Sequence, residues 1–319
     1  LYLNNFRFTM TRVRAIVVTL FLIFLSQQSF AESDNIKTWH NVLSDSTDTG
    51  TLGGVSISLS ENVSSDSNTM SSAEWPHLIE VYTATWCTNC VRTEAITNSL
   101  ILSDNESIMQ IHYHRFIAEV QDPFGSQETD DRWVDRYGKS SDIAGDLERI
   151  APSNVFDGER LHVGTTFSSD SLDTDYQISF DTAPSIEYSD FSATLNWFNE
   201  SDTDRFSWNI STPSLTESYT ISPKLFFIEE VGYFPEGGNG EEYYHNILRD
   251  IVDLPSQEGE ILVDYNSAYD GTDLSVVLVF DWHYNDDSGA FSALPFPNLI
   301  VLVSLFVAAL HPRKNKLSM

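Results

Sequence analysis

Only two cysteines occur in the chain, and they stand three residues apart, Cys87 and Cys90 in a single C-x-x-C. With no others to recruit, a zinc ribbon or a multi-disulfide scaffold is excluded. The fold must therefore be held by buried apolar surface. The material is present: 41% of residues are hydrophobic and 13% aromatic, which also excludes global disorder. Once two terminal segments are set aside, the stretch from Glu32 to Leu310 has room for about two domains of ordinary size.

The flanks of the motif read as alternating strand and helix. Residues 77–82 are a β-type run ending in Tyr82, and residues 83–90 form a loop with Trp86 directly before Cys87. Residues 91–102 are helical in composition, with Val91/Ala95 and Ile96/Leu100 at i,i+4. Residues 107–116 read as a second strand and 128–137 as a second helix. Residues 154–163 read as a hairpin turning on Asp157-Gly158. Strand, Trp-Cys-x-x-Cys, helix is the arrangement that thiol–disulfide exchange needs. The first cysteine meets the helix N-terminus, where unpaired N–H groups favour thiolate. The second, one turn in, attacks the mixed disulfide. The same pair could instead be a structural disulfide, or two thiolates that bind copper or zinc with His112 and His114. Those histidines sit at i,i+2 on a central strand, where packed or hydrogen-bonded rings are the simpler expectation. His245 likewise reads as a structural sheet residue. The acidic turns around Asp170, Asp173 and Asp175, Asp264, Asp270 and Asp273, and Asp281, Asp286 and Asp287 fit no EF-hand register and read as solvated loops.

At these residues the chain resembles the thioredoxin superfamily. In that family a cis-proline opens the strand beside the cysteines and offers main-chain hydrogen bonds to a bound peptide. The matching position is Pro152, in Ala151-Pro152 ahead of the hairpin that Gly164 closes. The resemblance covers about residues 75–165 and implies Cys87, Cys90, Trp86 and Pro152 as the catalytic set. A narrower resemblance is to the outer membrane protein 28 group of surface thioredoxin-like proteins. It rests on residues 80–90, on His112 and His114 followed by Asp122-Pro-Phe124, and on Tyr244-His-Asn-Ile-Leu-Arg249. Four departures from the superfamily stand out. Val81 occupies the place where many thioredoxins keep a buried Asp. Thr88-Asn89 fills the motif, and Val91 stands where the narrower group has Pro. The stretch 165–175 leaves at most one turn for the closing helix.

Beyond residue 175 the period becomes two. Residues 191–197, 206–210 and 276–284 alternate, and 176–180, 225–233, 243–252 and 261–265 are further β-like runs. Seven short strands imply an antiparallel all-β sandwich of immunoglobulin-like size without an inter-sheet disulfide. No internal repeat is seen. Residues 32–72, rich in Ser, Thr, Asp, Asn and Gly, read as a solvated stalk with one strand near Val55.

Charge and the ends of the chain set the compartment. None of the 47 acidic residues and six of the 17 Lys/Arg lie in residues 1–31 and 311–319, so the middle carries 11 basic residues against all 47 acids. Such a field repels phosphate backbones and excludes nucleic acid as a partner. Met10-Thr-Arg-Val-Arg, an apolar run over 15–25 and Ser29-Phe-Ala31 have the layout of a secretory signal, the alternative being an uncleaved anchor. Residues 299–310 are apolar and end in a basic tail, while Pro295 and Pro297 precede them. As a helix these twelve residues rise about 18 Å, short of a roughly 30 Å hydrocarbon core. This terminus resembles the sorting signals that archaeosortase-type transpeptidases process. N-x-S sequons occur at Asn62, Asn105, Asn199 and Asn209.

The expected organisation is a signal peptide (1–31), a stalk (32–72), a thioredoxin-like α/β domain (73–165), a β-sandwich domain (166–288) and a C-terminal anchor or sorting helix (289–319). The expected activity is thiol–disulfide exchange on extracytoplasmic protein thiols and disulfides, the Cys87–Cys90 pair being itself the redox group, with the membrane reached through the C-terminal segment. The competing expectation is a surface binding or adhesion protein on a thioredoxin-like scaffold with a structural disulfide. A Gly-rich phosphate loop, G-x-S-x-G and H-E-x-x-H are all missing from the sequence.

Overall fold

In the computed structural model the described residues are 48–59, 62–103, 108–200 and 203–285. The expected signal peptide and C-terminal segment lie outside them, as do Asn105 and residues 32–47 of the expected stalk. Among the described residues no helix is long and apolar enough to cross a membrane.

Two sheets carry the fold. The larger is mixed and runs β1(Thr49–Leu52), β13(Leu274–Tyr284), β10(Tyr219–Tyr233), β11(Tyr243–Asp253), β5(Ile108–His114), β4(His77–Thr83), β6(Ser153–Phe156), β7(Arg160–Val163), with β2(Ser56–Ser58) also paired to β13. The smaller is antiparallel, in the order β12(Glu258–Val263), β9(Asp204–Ser211), β8(Ser192–Phe198), β3(Ser65–Ser71). In the larger sheet β5 is parallel to both β4 and β11, and all other pairings are antiparallel. Four α-helices complete the described chain: α1(Thr88–Ser103), α2(Gln127–Trp133), α3(Lys139–Gly145) and α4(Leu172–Phe180). One π-type turn, Val134–Gly138, links α2 to α3.

Alternation along each strand sorts the core into layers. Ile79 and Val81 of β4 face α1 and α4, packing with Ile96, Leu100, Leu172, Tyr176 and Phe180. Leu78 and Tyr82 face the other way, toward Trp133 and Tyr137 around α2. That second layer continues under Phe226 and Ile228 of β10 and Val277 and Val279 of β13. On their opposite faces, Leu225 and Phe227 of β10 and Val276, Leu278, Phe280 and Trp282 of β13 pack against Leu195, Trp197, Phe206 and Trp208 of the smaller sheet. Strands β10 and β13 are thus buried on both sides over 225–228 and 276–280, so the segment expected to alternate from residue 276 carries apolar side chains on both faces.

Three expectations are corrected here. Residues 176–180 are helical, not a strand. Ser171 caps α4 by accepting from the Thr174 N–H, and Leu172, Tyr176 and Phe180 line one face at intervals of four. The chain after β7 therefore keeps a nine-residue helix where at most one turn was expected. Residues 49–71 are not stalk. They form β1, β2 and β3, and Val55, Ile57 and Leu59 are buried in the inter-sheet core. Finally, residue 165 does not mark a break. Strand β11 from the expected second domain pairs with β5 from the first, at Ile247 beside His112, so one sheet runs through both.

Candidate functional site

Strand β4 ends at Thr83, and Ala84-Thr85-Trp86 turns the chain into α1. The Cys87 N–H donates to the Ala84 carbonyl (2.9 Å), and the Cys90 N–H donates to Cys87 O (3.1 Å) and approaches Cys87 Sγ (3.2 Å). Cys87 and Cys90 stand at disulfide distance, 2.05 Å between sulfurs, at the first turn of α1. Both are buried, Cys87 5% exposed and Cys90 fully enclosed. Ala84, Trp86 and Ala151 pack around the pair. Ala151-Pro152 is a cis peptide bond, and the Pro152 carbonyl accepts from the Gly164 N–H (2.8 Å) at the mouth of the β6–β7 hairpin. Cys87, Cys90 and Trp86 are therefore together, and the residue before Pro152 touches them.

Loop 115–125 holds the motif from one side. Trp86 Nε1 donates to Glu119 (2.7 Å), and the Arg115 guanidinium lies 6.0 Å from the Trp86 ring centroid. The Thr85 N–H donates to Asp122 Oδ2, which is also 2.8 Å from His114 Nδ1. From another side comes the tip of the β10–β11 hairpin. The Thr85 carbonyl accepts from the Asn239 N–H and the Tyr244 hydroxyl, each at 3.1 Å. Gly237 is packed so closely there that a Cβ would collide with the Tyr244 hydroxyl and lie 2.9 Å from the Thr85 carbonyl. A Cβ on Gly238 would touch Trp86.

Val81 is buried among apolar side chains of the α1 face. Glu80 points to the other face, as alternation requires, and meets Arg132 and Tyr113 there. On the α1 face β5 carries a polar row. His112 Nε2 lies 3.1 Å from Gln110 Oε1, and burial, reinforced by His114 and His245, pushes its basicity down to about 3. The buried Nε2 of His114 has no hydrogen-bond partner among the described residues. The histidines are thus held by Gln110 and Asp122, and no group of three or more His, Cys, Asp or Glu among the described residues is placed to hold a metal ion. Asp281, expected in an acidic turn, is buried against Arg132, and Asp175 accepts the Ser168 and Ser169 N–H groups.

Glu94 belongs to the same site although no motif in the sequence marks it. It lies one turn beyond Cys90 on the same side of α1, and Thr83 Oγ1 donates to it (3.2 Å). Burial pushes its carboxyl up to about 7, against the opposing pull of His114 and the Thr83 hydroxyl, while Glu241 adds to the rise. Glu94 lines a cavity of about 200 Å³ with Asn98, Gln110, His112, Glu241 and His245, and Tyr243, Tyr244 and Asn246 complete its wall. The i,i+4 spacing from Cys90 was its one signal in the sequence. The far wall of its cavity, Glu241 and residues 243–246, comes from the β10–β11 hairpin more than 140 residues away and has no local signal in the sequence.

No family model matches the chain, and no curated protein matches it. Among solved structures it is similar in part to protein AGR_C_4864 of Agrobacterium tumefaciens, at 11% identity and a TM-score of 0.36 over 63% of this chain and 77% of that one. It is also similar in part to HBP35 of Porphyromonas gingivalis, at 15% identity and a TM-score of 0.37 over 67% of this chain. The match spans 65% of HBP35. Similarity of that degree assigns neither an activity nor a partner.

Proposed function

We propose that the chain is a thiol–disulfide oxidoreductase that acts on proteins outside the cytoplasm through Cys87 and Cys90, on a thioredoxin-like unit that begins at residue 73 and is closed by α4. The carrying observation is the sulfur pair at the start of α1 with Ala151 packed against it. The strand order β5-β4-β6-β7, with α1 joining β4 to the parallel β5 and β6 and β7 antiparallel, supports the unit. The narrower resemblance to the outer membrane protein 28 group, the signal segment and the C-terminal tether belong to the same proposal. A dithiol attack at Cys87 forms a mixed disulfide with the partner, and Cys90 resolves it.

Replacing Cys90 with Ser then traps mixed disulfides with partner proteins, and replacing Cys87 abolishes trapping. A redox titration of the protein with mass-resolved thiol trapping gives one two-electron transition. The burial of both sulfurs favours a second reading, a surface binding protein with a structural disulfide. A pair that stays oxidised in strong thiol reductant, with no partner trapped by either variant, selects that reading.

A further inference from the structure

Resolution of a mixed disulfide needs a base for the buried Cys90, and Val81, which stands where the thioredoxin resemblance would place an acid, offers none, being apolar and fully buried. The neighbouring acids on other elements are committed. Glu80 accepts from Tyr113 and pairs with Arg132 on the opposite face of the sheet. Asp122 takes the Thr85 N–H, the Phe124 N–H and His114 Nδ1. Glu94 differs. Thr83 is its one hydrogen-bond donor among the described residues, and it opens onto a polar cavity. At i,i+4 on a helix its Cβ and that of Cys90 are about 5–6 Å apart. The cavity has a buried floor, Gln110 and His112, and an exposed rim, Asn98, Glu241, Tyr243 and His245.

We propose that Glu94 is the proton acceptor for Cys90, and that the cavity beside it carries that proton to solvent. This rests on the thiol–disulfide exchange reading. In the step, the Cys90 thiol gives its proton to the Glu94 carboxylate, and the Cys90 thiolate attacks Cys87 Sγ of the mixed disulfide. The Cys87–Cys90 bond forms, the bond from Cys87 to the partner sulfur breaks, and the partner leaves as thiolate, protonated by water. The dithiol is oxidised by two electrons and the partner disulfide is reduced by two. The charged and titratable groups around Glu94 are His112 and His114 from β5 and Glu241, Tyr243, Tyr244 and His245 from the β10–β11 hairpin. The burial that raises its carboxyl to about 7 suits an acceptor working near neutral pH.

The test uses the reduced full chain and one equivalent of an aryl disulfide whose thiolate product is coloured. The first release of colour reports attack by Cys87, and the second reports closure by Cys90. In the native protein the second rate rises with pH through the neutral range. Glu94→Gln keeps an oxygen for the Thr83 hydroxyl; it is expected to slow the second release about 100-fold near pH 7 and to flatten its pH dependence. The first release and the circular dichroism spectrum stay unchanged, and Glu94→Asp recovers part of the loss. A second release in Glu94→Gln at the native rate and pH profile overturns the proposal and leaves the exchange reading standing. Absence of a first release from the native chain overturns both.

Discussion

Arg132 lies between two carboxylates that are distant in sequence. Its guanidinium donates to Asp281 at 2.6 and 3.0 Å and reaches Glu80 at 3.5 Å, while Nε donates to the Tyr113 hydroxyl at 2.9 Å. Burial alone would raise the Asp281 carboxyl, but Arg132 and Arg136 overcome it and hold that carboxyl well below the usual carboxylate range. Taking Arg132 away leaves the buried Glu80 without its ion-pair partner and leaves Asp281 only the more distant Arg136 (3.8 Å) and Lys224 (3.9 Å). Arg132→Met is therefore expected to cost about 3–5 kcal/mol in urea unfolding, and a loss within experimental error would show the network to be dispensable. Two other groups shape the pH dependence, with opposite signs. His112 is kept neutral to about pH 3 in the folded state against 6.5 as its ordinary value, so stability is lost as pH falls through that window. Glu94 is raised from 4.5 to about 7, so its contribution is present below pH 4.5 and lost as pH rises toward 7. Glu94→Gln should thus be more stable than the native protein at pH 8, by at most about 3 kcal/mol. His112→Asn should flatten the acid limb of the stability curve. Denaturant melts of both variants across pH check the signs.

At the scale of single elements, the sequence is legible where one periodicity dominates and ambiguous where two compete. Strands β4 and β5 lie within two residues of their expected bounds and helix α1 begins at Thr88, three residues before its expected start, so each was legible. Helix α4 was not, because Tyr176, Ile178 and Phe180 alternate like a strand while Leu172, Tyr176 and Phe180 also repeat every four. The Ser171 cap and the slot beside Phe156 decide for the helix. Ser171→Ala is expected to cost about 1 kcal/mol. Strand β3 was hidden by composition. It is the edge of the smaller sheet, and its Ser and Thr side chains bond across the exposed face, Ser67 to Asn196 and Thr69 to Thr194. The candidate site was legible to the same degree. Trp86, Cys87 and Cys90 announce themselves by adjacency, whereas the hairpin tip over them comes from a strand pairing that no local pattern encodes. That hairpin has a consequence of its own. Gly237→Ala must push the tip away from Thr85, and the disulfide should then be reduced by dithiothreitol several-fold faster than in the native protein. An unchanged rate would mean that the tip does not limit access.

At the scale of the whole molecule, the expected boundary between an α/β domain and a β domain runs through shared structure. Strand β5 is bordered by β4 on one side and β11 on the other. The layer under α2 takes Tyr82, Tyr113 and Trp133 from before residue 165 and Phe226, Ile228, Leu248, Val277 and Val279 from after it. Arg132 and Asp281 join the same two stretches, and Arg136 donates to Thr49, Gly50 and Thr51 of β1. A chain cut at residue 165 would expose that apolar layer to water, lose α4, open the β5 edge and strand Arg132 beside Glu80 alone. Loss of the five aromatic and aliphatic partners from beyond residue 165 is comparable to the whole margin of a unit of about 90 residues, since domains of that size are stable by only about 5–15 kcal/mol and each large buried side chain contributes about 1.5–3 kcal/mol. The full chain is accordingly expected to unfold in a single transition, coincident by far-ultraviolet dichroism and tryptophan fluorescence. The fragment 73–165 expressed alone should lack cooperative unfolding. Two separated transitions in the full chain, or a fragment with its own sharp melt, would restore the boundary and make the shared sheet a docking of two independent domains.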